Sequence, residues 1–244
     1  MPIPNRAFLA TKNNMPETII KHAAKTAFTL IAFALVGTTL LAYVFNITRA
    51  PIEKSEAEAR LALFRQILPT GSYNNNLLKD AITLAPSNLL GNTRPTIANI
   101  ARIDNQPAGI ILEAIAHDGY SGDIKLLIAI RVDGTVSGVR VLAHKETPGL
   151  GDYIDIARDQ WITLFNEESL NKTSAQQWKV KKDGGKFDYM AGATITPRAV
   201  VKAVHLALQF FEANKQTLFK DVASKQVLKT ELWKLSYENK DSGN

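Results

Sequence analysis

The 244 residues, 45% hydrophobic and 21% charged, allow one sizeable globular domain with additions and exclude a chain that is disordered overall. A formal charge of +6 and a pI near 9.4 would suit a nucleic-acid partner, yet the lysines and arginines are scattered and never interleaved with aromatics in a short cluster, so none is expected. Zero cysteines exclude disulfides, thiolate metal sites, iron-sulfur ligation and cysteine nucleophiles, and leave the redox compartment open.

In chain order, the first element is Thr26 to Phe45 (TAFTLIAFALVGTTLLAYVF), which carries no charge and is long enough to cross a bilayer core. It reads as a single retained transmembrane helix. A cleaved signal peptide fits less well, because the apolar run is long and NITRAPIEK offers no small-x-small cleavage site. Lys12, Lys21 and Lys25 before the span balance Arg49, Lys54 and Arg60 after it, so the positive-inside rule is tied. Glu53, Glu56 and Glu58 tip the reading towards a C-terminal domain outside the cytoplasm, with residues 1–25 cytoplasmic.

Glu53 to Leu68 (EKSEAEARLALFRQIL) has alanines and leucines at helical spacing, early glutamates and Pro69 as a stop, and predicts a stalk helix. Thr70 to Thr96 is polar and rich in turn formers, a connector with room for one short strand or helix. Residues 46–96 are thus stalk and connector. Ile97 to Ile103, Ala108 to Ala116, Ile124 to Val132 and Val136 to Ala143 follow as four β-rich runs with short links, which predicts antiparallel pairing. Asp152 to Phe165 (DYIDIARDQWITLF) reads as a helix and Trp178 to Lys182 as a further strand. Thr196-Pro197 ahead of Ala199, Val200, Ala203, Val204, Ala207, Leu208 and Phe211 predicts a helix over 197–214, with Thr196 as N-cap and Pro197 at the first helical position. Residues 215–244 form a charged tail with room for one more helix around Val227, Leu228, Leu232 and Leu235. The fold class is α+β, an antiparallel sheet flanked by helices, with the working domain at 97–214.

Four segments spend residues on backbone shape: His117 to Gly122 (HDGYSG), His144 to Asp152 (HKETPGLGD), Lys182 to Lys186 (KDGGK) and Asp188 to Thr196 (DYMAGATIT). KDGGK lacks the strand, spacing and terminal Ser/Thr of a phosphate loop. In HKETPGLGD, Pro148, Gly149 and Gly151 force a shaped loop that presents Glu146 and Thr147 and leaves backbone N-H groups for a ligand. The same residues also serve an ordinary strand-to-helix connection. Thr194, flanked by Gly192 and Ala193, lies where small neighbours allow close approach. It has no base or free amine nearby in sequence, so it reads as an attachment point and not as a nucleophile that turns over.

The single N-terminal anchor, HKETPGLGD, and AGATIT with Asp188 three residues before Ala191 together resemble the FMN-binding subunits of ion-translocating electron-transport complexes. The likeness is to the G subunit of Rnf-type complexes, and to the related C subunit of the Na+-pumping NADH:quinone oxidoreductase. It spans roughly residues 20–212. In that family a flavin transferase recognises D-x-x-[ST]-G-A-T and esterifies the last threonine with FMN phosphate. Carried across, Asp188, Gly192, Ala193 and Thr194 form the recognition element and Thr194 the attachment site. Ala191 stands where a hydroxyl is usual, which removes a hydrogen bond and not the esterified group. The resemblance places Thr196, Glu146, Thr147, Gly149, Leu150, Gly151, Tyr120 and Gly122 around the flavin. It further implies electron relay, a bacterial inner-membrane location with the domain periplasmic, contact with lipid, and other membrane and redox subunits as partners.

Two other readings stand beside it. One is a membrane-anchored ligand-binding domain without cofactor. The other is a hydrolytic or metal site from His117, His144 and Glu146.

Overall fold

The computed structural model describes residues 17–241, with side chains described for 19–220. The chain divides into two compact units, Met1–Glu56 and Ala57–Asn244. One helix, α1 (Glu17–Ile67), contributes to both. Its apolar part is long enough and apolar enough to cross a membrane and is not buried against the rest of the chain. Large side chains such as Phe28, Phe33 and Leu41 are largely exposed, as a lipid-facing surface requires. The hydroxyls of Thr26, Thr29, Thr38 and Thr48 donate to carbonyls four residues back at 2.8 to 3.0 Å. Each of these polar groups is thereby satisfied within the helix. The predicted stalk helix is the C-terminal part of α1, which continues through Pro51.

In the second unit five strands form an antiparallel sheet in the order β1-β2-β3-β4-β5. They are β1 (Ala81–Leu84), β2 (Thr96–Ile103), β3 (Gln106–Ala116), β4 (Ile124–Arg131) and β5 (Val136–Ala143). The four predicted runs are β2 to β5, and β1 is the short strand for which the connector left room. Asp104 and Asn105, at φ 49° and 67°, make the two-residue turn between β2 and β3. Positive φ at both positions matches the twist of a tight hairpin, and Asn and Asp tolerate it better than most residues.

Both faces of the sheet are covered. On one, Ile100, Ile110, Leu112, Ile128 and Ile130 pack with Val200, Val204, Leu208 and Phe211 of α2 (Ile195–Asp241). On the other, Ala101, Ile111, Leu127 and Ala129 meet Phe64, Ile67 and Leu68 at the end of α1. Central strands buried twice explain why the sequence shows continuous apolar runs rather than alternation. The end of α1 reaches the sheet because Gly138 has no side chain: a Cβ there would lie 2.8 Å from the Ile67 Cα. Arg140, buried, donates from Nη2 to the Gln66 carbonyl at 3.1 Å and from Nε to the Gln66 side chain at 2.9 Å. A cation at the carboxyl end of a helix is favourably placed against its dipole. Gly138→Val is expected to cost about 1–3 kcal/mol through overpacking, read as a lower urea midpoint with an unchanged m-value; an unchanged midpoint would refute this packing account.

Three expectations are corrected. Asp152 to Phe165 is not an α-helix but two 3-10 turns, Asp152–Ile154 and Trp161–Phe165, with Asp155 extended between them. Trp178 to Lys182 is not a ladder strand: Val180 makes one isolated parallel bridge to Phe187 and a 3-10 turn occupies Lys181–Asp183. α2 starts at Ile195, so Thr196 is not its cap and Pro197 lies at the third helical position, where a missing N-H still costs nothing. The helix runs on without a break to Asp241, so residues 215–241 continue it. The side chains of Val227, Leu228, Leu232 and Leu235 lie outside those described.

The irregular segment between β5 and α2 is held by aromatic packing. Phe165 contacts Trp161, Phe187 and Trp178 with centroids 5.4, 4.9 and 6.5 Å apart, and Trp178 stacks on His205 of α2 at 5.2 Å. Burial lowers the His205 pKa, which favours the neutral ring of a packed residue on the helix. Buried Glu168 pairs with Lys186 at 2.6 Å and Lys172 at 3.2 Å. Burial alone would raise its pKa, but hydrogen bonds from Lys186, Thr173 and Lys172 outweigh it and the net direction is down. A carboxylate depressed on folding stabilises above its ordinary value of 4.5 and loses that contribution as pH falls through the folded value. Acid titration below about pH 4.5 should therefore destabilise the parent more steeply than Glu168→Gln; parallel profiles would contradict this.

Candidate functional site

Three loops converge beside the first turn of α2: residues 117–122 after β3, 144–151 after β5, and 188–194 leading into the helix. They enclose a cleft of about 180 Å³ lined by Tyr120, Glu146, Thr147, Leu150, Gly151 and residues 192–196. Its centre is Glu146, only 4% exposed. The Glu146 Oε1 accepts the Ser121 N-H at 3.0 Å, and Oε2 accepts the Thr196 hydroxyl at 2.6 Å. One carboxylate therefore binds all three walls, since Gly151 presses on it as well: a Cβ on Gly151 would lie 2.7 Å from Oε2 and 2.9 Å from Thr196 Oγ1. The side chain of Thr196, expected as a cap, serves this contact instead.

The 188–194 loop is fixed from behind. Trp161 donates its indole N-H to the Asp188 carbonyl at 2.7 Å, and the Met190 N-H donates to the Tyr153 hydroxyl at 3.2 Å. The Ala193 N-H closes a turn onto the Met190 carbonyl at 3.1 Å. Gly192 in that turn adopts φ +87° with open space where a Cβ would stand, so it supplies both the backbone shape and clearance. Thr194 follows at the cap position, with its carbonyl facing the Arg198 N-H at 3.4 Å. The residue is 8% exposed and borders the cleft, and none of the described residues hydrogen-bonds its hydroxyl.

Asp188 itself points away, paired with Lys181 and more than half exposed. The KDGGK loop has a structural task here: Asp183 grips Arg198 in the first turn of α2 at 2.5 and 2.6 Å. Of the other sequence-predicted residues, Gly149 and Gly122 lie off the lining. Gly149, at φ +77°, donates its N-H to Asp152 at 2.8 Å and shapes the 144–151 loop. Gly122, at φ +114°, ends the Tyr120 loop.

Sequence reasoning missed Ile195, which is 45% exposed at the cleft mouth, and the rear supports Tyr153 and Trp161. Their signal was present, as aromatic residues in a segment that breaks up after Asp155, but its periodicity reads as a helix. The metal alternative does not assemble: His117 binds Asp123 and Gly91, and among the described residues no group of three or more His, Cys, Asp or Glu could hold an ion.

The class these elements define is an α+β domain with a three-loop cleft, preceded by a helix long and apolar enough to cross a membrane. Residues 119–209, which include all three loops almost entirely, match the FMN-binding domain family, and residues 15–67 match the RnfG N-terminal region. The chain is 47% identical over 194 residues to the G subunit of the ion-translocating oxidoreductase complex of Pseudomonas aeruginosa, covering 80% of this chain and 91% of the relative. It is 44% identical to the corresponding Vibrio cholerae protein over 80% of this chain and 92% of the relative. The Shewanella piezotolerans counterpart is 42% identical over 85% of this chain and 98% of the relative. The chain belongs to the family of G subunits of ion-translocating oxidoreductase complexes.

Proposed function

We propose that the protein carries FMN esterified through its phosphate to Thr194 and relays electrons between other redox subunits of an ion-translocating complex. The observation that carries this reading is the Thr194 hydroxyl, without a hydrogen-bond partner among the described residues, bordering a cleft at the start of a long helix. Unpaired N-H groups of the first turn and the helix dipole favour an anion at that place. A phosphodiester supplies one. Gly192 leaves the approach open, and the family match independently supports FMN.

The cleft of about 180 Å³ is smaller than the roughly 300–1,000 Å³ of sites that enclose a drug-sized ligand. In this reading it takes only part of the cofactor, and the rest lies across the exposed rim of Tyr120, Leu150 and Ile195. An exposed edge suits a carrier that must exchange electrons with neighbours. FMN supplies the redox chemistry when bound. The chain's own residues hold it: Thr194 tethers, the first turn of α2 faces the phosphate, and Glu146 keeps the walls together.

The same proposal makes 1–25 a cytoplasmic segment, 26–45 a bacterial inner-membrane span in contact with lipid, 46–96 stalk and connector, and 97–214 a periplasmic flavin domain, with 215–244 of unassigned role. A flavin transferase would read Asp188, Gly192, Ala193 and Thr194. Free FMN is scarce outside the cytoplasm, which gives covalent retention its value. The test is the intact mass of the protein produced with its transferase. A gain of one FMN less one water is expected; no gain, with the transferase active on another substrate, would leave a colourless binding domain.

A further inference from the structure

His117 follows β3 directly and stands at the neck of the loop that carries Tyr120. Its Nδ1 lies 2.8 Å from Asp123 Oδ1, across the six residues that close the loop, and its Nε2 lies 2.7 Å from the Gly91 carbonyl oxygen. A carbonyl oxygen and a carboxylate both only accept. Satisfying both contacts requires an N-H on each ring nitrogen, which is the imidazolium. Neutral imidazole has one N-H, so its other nitrogen would turn a lone pair on an acceptor, and one of the two contacts must open.

Gly91 is a fixed anchor for this clamp, because the Ile115 N-H donates to the neighbouring Leu90 carbonyl at 2.8 Å. The loop then runs to Ser121, whose N-H reaches Glu146 and through it Thr196. A single chain of contacts thus leads from the His117 ring to the wall of the cleft. Within the loop, Asp123 and Asp118 face the ring; from α2 the charged group is Lys202, 2.5 Å from Asp118, among the described residues lining that side. From the connector the Gly91 carbonyl meets the ring, and Asn88 and Leu89 line the same side without charge.

We propose that His117 is a proton-dependent positioning residue for the cleft: as imidazolium it fastens the 117–122 loop at its neck, and loss of a ring proton to solvent releases the wall bearing Tyr120. The clamp stands on geometry alone; its consequence for flavin rests on the cofactor reading above. The hydrogen bonds to Asp123, first, and Gly91 raise the His117 pKa above its ordinary value of 6.5. A base raised on folding contributes fully below that ordinary value and loses its contribution as pH rises through the folded value. The cleft wall is accordingly ordered in acid and loosened in the window above 6.5.

The experiment is a ring-nitrogen NMR titration of the full-length chain in detergent from about pH 5 to 9, with His117 assigned by His117→Gln or, should that variant fold poorly, by the resonance that Asp123→Asn displaces. Protonation of both ring nitrogens below a midpoint higher than 6.5 is expected. The Ser121 amide should titrate at the same midpoint, and Asp123→Asn should shift that midpoint down. A midpoint at or below 6.5, or a Ser121 amide indifferent to it, overturns the proposal. In flavin-loaded protein, emission should follow the same midpoint. Emission flat in pH beside a titrating Ser121 would support the clamp and count against flavin in this cleft.

Discussion

Thr194→Ala is expected to abolish flavin attachment completely while lowering stability by less than about 1 kcal/mol. The two effects separate because the hydroxyl that would form the ester makes no hydrogen bond among the described residues. Its backbone carbonyl, which faces the Arg198 N-H, is untouched by the substitution. A threonine whose side chain capped the helix would cost more. Thr194→Ser keeps the nucleophilic oxygen at the same place and is expected to accept flavin, so the pair distinguishes loss of the attached atom from disturbance of the loop. Asp188→Ala should slow attachment without loosening the fold. Among the described residues the Asp188 carboxylate pairs with Lys181 alone, at the surface, a pair of a kind that contributes little, while the carbonyl that holds Trp161 belongs to the backbone. Intact mass, flavin absorbance and urea unfolding on the same samples decide the matter. Flavin retained on Thr194→Ala would remove Thr194 from its assigned role.

Much of the sheet was legible because its signal is local. β5 spans Val136–Ala143 as read from the sequence, and β2, β3 and β4 differ from their expected limits by two residues or fewer. Apolar runs bounded by turn formers such as Asp104-Asn105 carry that information directly. β1 was less visible, since Ala81–Leu84 is a four-residue edge whose place depends on pairing with β2. Asp152 to Phe165 misled for another reason: its aromatic spacing mimics a helical face, although Tyr153, Trp161 and Phe165 sit in two separate 3-10 turns and pack edge-on into the core, with centroids 5.6 and 5.4 Å apart. The start of α2 was displaced because the Thr196-Pro197 pair carries a strong capping signal. In the fold the Thr196 hydroxyl is drawn to Glu146, fifty residues earlier, a long-range contact that no local pattern contains. The cleft residues were legible as shaped loops; their meeting around one buried carboxylate was not.

That carboxylate is where the second large effect is expected. Glu146→Ala should destabilise the domain by about 3 kcal/mol and slacken all three walls together, because the substitution strands two donors in a buried site, the Ser121 N-H and the Thr196 hydroxyl, and each unsatisfied buried group costs about 1–3 kcal/mol. The hydroxyl recovers part of this by rotating, which the backbone amide cannot do. Glu146→Gln is the discriminating variant. Its carbonyl oxygen can accept from Ser121 while its amide donates to Thr196 Oγ1, whose proton turns elsewhere, so most of the stability should remain. It also removes a negative charge from beside the place assigned to the phosphodiester at Thr194, and like charges repel strongly where water is excluded. Flavin attachment should therefore be preserved or improved in Glu146→Gln and reduced in Glu146→Ala, with urea midpoints following the same order. If Gln proved as destabilising as Ala, the site would depend on the charge of Glu146 and not on its two accepted hydrogen bonds, and the wall-binding role argued for it would be wrong.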